Sequence, residues 1–91
     1  MKDNVRVKTV KLIRNKLTDD SILKMLPYLT NVMSLNLSQN QLTDHVLNLF
    51  IDNRHSLPML KSLVLSQTKI VERKSKTLVE RLRKMEVAVS V

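Results

Sequence analysis

Val32-Met33-Ser34-Leu35-Asn36-Leu37-Ser38-Gln39-Asn40-Gln41-Leu42 is the stretch on which the reading of this chain turns. Its pattern is apolar-x-x-apolar-x-apolar-x-x-Asn-x-apolar. The same grammar occurs 25 residues earlier, through Val7, Val10, Leu12, Asn15 and Leu17, and 28 residues later, through Leu60, Leu63, Leu65, Thr68 and Ile70. A period of roughly 20 to 29 residues marks an array in which each unit buries its apolar face on the next.

Within each unit the paired apolar positions, such as Val10 and Leu12 or Leu35 and Leu37, alternate with Lys11, Asn36 and Val64, which point the other way. That is the period of a short strand with one face in a core. Stacked copies of one strand run parallel, and parallel neighbours need a crossover between them. The first crossover opens at Leu17-Thr18-Asp19-Asp20, with Thr18 or Asp19 as helix cap and Ile22, Met25, Leu26 and Leu29 on one face. Pro27 shortens or bends its last turn. The second opens at Leu42-Thr43-Asp44, continues through Val46, Leu47, Leu49 and Phe50, and reaches the next strand by a loop over 52–56. The third spans about 72–85, with Leu78, Leu82 and Met85 on one face. Val87, Val89 and Val91 then alternate as a fourth strand over 86–91.

Asn15 and Asn40 have a structural task. The turn after each strand leaves backbone N–H and C=O groups without sheet partners, and an amide side chain supplies both donors and an acceptor. Thr68 offers a weaker version of the same service in the third unit.

The chain has 91 residues, a net charge of +8, and neither cysteine nor glycine. It is one domain over 1–91, with repeats at about 5–31, 32–59 and 60–85 and a terminal strand at 86–91. Without cysteine, disulfides cannot staple it and an oxidising compartment is not implied. Without glycine, phosphate-cradling Gly-rich loops drop out. Tyr28 and Phe50 are the aromatic residues, too few for a base-stacking platform. No apolar run approaches the roughly 18 residues of a membrane span. Met1-Lys2-Asp3-Asn4 lacks the apolar core of a signal peptide. An intracellular, cytoplasmic protein without a membrane partner is the expectation.

The charge is uneven. Residues 1–16 carry Lys2, Arg6, Lys8, Lys11, Arg14 and Lys16 against Asp3, while 69–91 carry seven bases against Glu72, Glu80 and Glu86. Basic ends attract anionic partners. The histidines, His45 and His55, sit ten residues apart with only Asp44 and Asp52 near them. They make no converging metal set, and no metal, cofactor or enzymatic activity is expected.

Leu35-Asn36-Leu37-Ser38-Gln39-Asn40-Gln41-Leu42-Thr43-Asp44 and Leu63-Val64-Leu65-Ser66-Gln67-Thr68-Lys69-Ile70 resemble the leucine-rich repeat in its ribonuclease-inhibitor-like subclass. The resemblance covers about residues 5–85. It implies an α/β, right-handed solenoid: a horseshoe segment with a parallel sheet on the concave side and helices on the convex side. It also implies that the concave face binds protein.

On that face the outward residues are Thr9, Lys11 and Ile13, then Ser34, Asn36 and Ser38, then Ser62, Val64 and Ser66. Lys8, Arg14, Met33, Gln39, Lys61 and Gln67 flank them. The functional reading is a non-enzymatic interaction module that prefers acidic protein partners. A less favoured reading is an RNA- or phosphate-contacting subunit of a larger assembly, using Arg73, Lys74, Arg81, Arg83 and Lys84 as anion contacts. An array this short lacks an N-terminal cap. It fits a piece of a longer protein, a subunit held by a partner, or a homo-oligomer joined through its open repeat ends.

Overall fold

The computed structural model describes residues 8–91, the side chain of Glu72 excepted. Val7, Lys2 and Arg6 therefore lie outside the described residues. The chain is α/β. Four strands, β1 (Thr9–Lys11), β2 (Ser34–Asn36), β3 (Ser62–Val64) and β4 (Ala88–Ser90), form one all-parallel sheet in the order β1-β2-β3-β4. The crossovers hold α1 (Asp19–Met25), α2 (Asp44–Asp52) and α3 (Glu72–Lys84), with short 3-10 turns at Leu26–Tyr28 and Arg54–Ser56. Pro27 falls in the first of these turns, where the α-helix has already ended. The helices pack side by side, α1 on α2 and α2 on α3, and the whole measures 45 × 28 × 18 Å.

Register aligns the repeats one for one. Val10, Leu35, Leu63 and Val89 stand opposite one another across the four strands. Leu35, Leu63 and Val89 are buried, whereas Val10 is half-buried. Leu37 and Leu65 extend that row into the core, where they meet Ile22, Leu26, Leu47, Phe50 and Leu82. One continuous apolar layer thus joins the sheet to the helices, as the alternation requires.

The helix starts follow the sequence closely. Thr18 caps α1, accepting from Ser21 N while Ser21 Oγ takes the N–H of Thr18. Thr43 caps α2 through His45 N at 3.3 Å. Asp19 ties the two starts together: its carboxylate accepts the Thr43 N–H at 2.9 Å and the Thr43 hydroxyl. At α3 the cap position is Val71, which has no side-chain acceptor to give.

The turns after the strands use the left-handed backbone region without glycine. Arg14, Gln39 and Gln67, at equivalent positions, have φ of 58°, 60° and 58°. Each costs about 1 kcal/mol relative to glycine, and the cost is offset by the turn ladder: Arg14 N donates to Ser38 O and Gln39 N to Ser66 O.

Candidate binding face

Residues that alternate with the core row line the outer face of the sheet, and register places them in two rows. One row is Thr9, Ser34, Ser62 and Ala88; the other is Lys11, Asn36, Val64 and Ser90. At about 4.8 Å between neighbouring strands, each row spans a patch wide enough for an extended peptide or one helix. Thr9, Lys11, Ala88 and Ser90 are exposed and the four residues between them are half-buried. Four hydroxyls, one amide, one ammonium, one valine and one alanine make up the surface.

Asn36 has a defined orientation. Its Oδ1 accepts both the Ser38 N–H at 3.1 Å and the Ser38 hydroxyl at 2.7 Å. A backbone N–H can only donate, so the amide oxygen must face Ser38 and the NH2 group takes the other branch. Ser38, expected on the outer face, is only 7% exposed and serves this inner contact instead. The strand ends at Asn36, and beyond it the chain is turning, so alternation no longer governs which way a side chain points. Ile13 likewise lies in a turn, with 38% of its surface exposed. Arg14, in the same turn, donates Nε–H to Gln39 Oε1 at 3.1 Å, which leaves its terminal nitrogens for a ligand.

The charge distribution is segregated by layer. Residues 8–17, 33–42, 60–71 and 87–91, which make the strands and their turns, carry Lys8, Lys11, Arg14, Lys16, Lys61 and Lys69 and no Asp or Glu. Every described acid lies in a helix, apart from Glu86 in the turn before β4. Among the described residues no ion pair engages Lys8, Lys11, Arg14 or Lys61; the pair that forms is Lys24 with Asp20 on α1.

Asn40 is the centre of the ladder. Its Oδ1 accepts the N–H groups of Asn15 (2.8 Å) and Leu17 (3.0 Å), and its Nδ2 donates to Leu12 O, Leu37 O and Ser38 O. Asn15 is exposed, and its side chain donates only to Ile13 O. Thr68 bonds within its own turn, donating to Leu65 O and accepting from Ile70 N, and reaches no neighbouring unit.

Of the basic residues expected to meet an anion on the third helix, two share a groove. Arg73 and Arg83 line one groove of about 310 Å³ with Lys76, Val79 and Glu80. Lys74 faces a shallower depression shared with Thr43, Asp44, His45, Lys69 and Val71. Arg81 and Lys84 line neither. Arg83 is also tethered, donating to Val89 O at 3.0 Å. Among the described residues no three His, Cys, Asp or Glu side chains are grouped as metal ligands would be, and no helix is long and apolar enough to cross a membrane.

One residue without any sequence signal proves structurally central. Arg54, in the turn after α2, directs its guanidinium to Leu57 O, Leu60 O (3.4 Å) and Met85 O (3.3 Å). It joins the second crossover to the end of α3 with backbone acceptors only. Compared with known protein families, characterised proteins and solved structures, the chain matches none.

Proposed function

We propose that this chain is a leucine-rich-repeat segment, a right-handed solenoid whose concave sheet face binds an acidic protein segment without catalysing a reaction. The supporting observation is the segregation of charge: the strand layer bears bases and no acid, while the described acids lie in the helix layer, Glu86 before β4 excepted. A sheet face with uncompensated positive charge steers and orients a negative partner. Its flat rows of small polar side chains suit an extended or helical segment laid across the strands, and a rigid parallel sheet presents them at low entropic cost. The reading places the protein inside the cell, in the cytoplasm, held by its partner.

The test is a selection of peptide binders from a random library. The selected peptides are expected to be rich in Asp and Glu, to lose binding to the Lys11→Glu/Lys61→Glu double variant, and to keep it with Arg73→Glu/Arg83→Glu. The reverse pattern overturns the reading.

The groove on α3 favours a second reading, an RNA or phosphate contact through Arg73, Lys76 and Arg83. That mode predicts anisotropy binding of an RNA oligonucleotide that weakens steeply with salt, by about 0.7 in the log–log slope for each single-strand phosphate engaged. Glu80 within the same groove weakens it as a phosphate site.

A further inference from the structure

We infer that the sheet face contains a built carboxylate seat between β1 and β2, formed by the Asn36 amide, Lys11 and Arg14. It accepts an Asp or Glu side chain whose neighbouring apolar residue rests on Val64. The inference rests on the reading of the sheet face as the binding surface and deepens it.

The seat is made of donors. Lys11 stands directly opposite Asn36 in the strand register and has no acidic partner among the described residues. Ser38 holds the Asn36 oxygen with two hydrogen bonds, so what the amide turns away from Ser38 is its pair of N–H groups. The two residues therefore offer an ammonium and an NH2 from adjacent strands, about 4.8 Å apart at the backbone. Arg14 follows three residues after Lys11, its Nε fixed by Gln39, and contributes the free end of a guanidinium. A group that offers only acceptors, carries negative charge and has two oxygens satisfies this set; a carboxylate is that group. A phosphate would meet the same donors, but Val64, half-buried and next in the row after Asn36, gives one side of the seat an apolar floor. An acidic residue beside an apolar one matches both.

Ser38 is a positioning residue here. Without its hydroxyl, one of the two bonds that hold the amide oxygen is lost and the amide is freer to turn. Ser38 is buried, and among the described residues its hydroxyl bonds Asn36 alone.

The experiment is an NMR titration of the full chain with acetyl-Leu-Asp-amide, and in parallel with its neutral isostere acetyl-Leu-Asn-amide. The Asn36 side-chain NH2 signals are expected to move with the acidic dipeptide while those of buried Asn40 stay, with the isostere binding roughly tenfold more weakly. Asn36→Asp keeps both bonds from Ser38, since a carboxylate also accepts, yet replaces the two donors by an oxygen. It is expected to fold and to weaken the acidic dipeptide at least about tenfold. Ser38→Ala should weaken it several-fold and shift the Asn36 amide signals, and Ser38→Thr, which keeps the hydroxyl, should restore both. Equal response to the two dipeptides, or unchanged affinity in Asn36→Asp, overturns the seat. If sheet-face signals still move in that case, the reading of the face as the binding surface survives; if only α3 signals move, both fall.

Discussion

Replacing Asn40 by Ala should cost more stability than any other single polar truncation in the turns, and the structure gives the scale. The side chain is 5% exposed and makes five hydrogen bonds, two accepted and three donated. At about 0.5–1.5 kcal/mol net for each bond the range is about 2.5–7.5 kcal/mol. The lower half applies, because Asn15 is exposed and water can serve its N–H, and the carbonyls retain a second lone pair. The expected loss is therefore about 3–4 kcal/mol, against a total on the order of 5–10 kcal/mol for a domain of this size. Asn15→Ala, which removes one bond on an exposed side chain, should cost under about 0.5 kcal/mol. Thr68→Ala, confined to its own turn, should cost about 1 kcal/mol. Urea unfolding followed by far-UV circular dichroism measures all three, with the slope m as the check that the unfolded state is unchanged. Asn40→Ala within about 1 kcal/mol of Asn15→Ala would refute the reasoning, because it would mean the buried amide is no more than a surface contact.

Other outcomes follow from the same contacts. Arg54→Ala should lose about 2–3 kcal/mol by urea unfolding, and Arg54→Lys should recover little, since one ammonium cannot span three carbonyls of two elements. Thr68→Asn should raise the unfolding free energy by about 1 kcal/mol, because the longer amide can reach the second turn as Asn40 reaches the first. Val71→Thr should also stabilise, by about 1 kcal/mol, by giving α3 the side-chain cap that Thr18 and Thr43 give the other helices. Val71 is 43% exposed, so the exchange sacrifices little burial, and a thermal melt reads the gain.

The strands, the helices and their caps were legible because each depends on local period. Val10/Leu12, Leu35/Leu37 and Leu63/Leu65 announce strands through alternation, and the Thr-Asp pairs mark the helix starts, where the structure chooses Thr18 over Asp19 as the cap. The task of Asn40 was legible too, but the same pattern assigned it equally to Asn15, which is exposed and donates only to Ile13 O in its own turn. What failed to show was whatever depends on distance along the chain or on where a period stops. Arg54 reads as a loop base, yet its acceptors lie 3, 6 and 31 residues away, and no local pattern encodes the last. Ser38 reads as an outward residue only if the strand continues past Asn36, which it does not. Part of the split of the α3 bases was available in principle: 73, 76, 80 and 83 follow the helical three-four spacing, whereas 74 and 81, seven apart, share a different face. Asp19 gave a fainter signal, an acid placed one unit before a Thr-Asp pair that it turns out to hold.

The breaks in the repeat grammar itself gather in the third unit, and together they explain how it is held. There the asparagine becomes Thr68, the cap becomes Val71, and both inter-repeat devices lapse at once. Three other contacts replace them. The helix lengthens to 13 residues against 7 and 9 before it, which adds buried contacts through Val79 and Leu82. Arg54 bonds the carbonyl at its end from the preceding unit, and Arg83 bonds the carbonyl of Val89 in β4. Val89 is the central residue of that strand, so a guanidinium on its carbonyl competes with any further strand at that edge. The repeat grammar thus governs the first two units, where an amide in the turn couples neighbours. In the third, charged side chains on backbone carbonyls take over that coupling, and they do so using arginines that would otherwise read as surface charge.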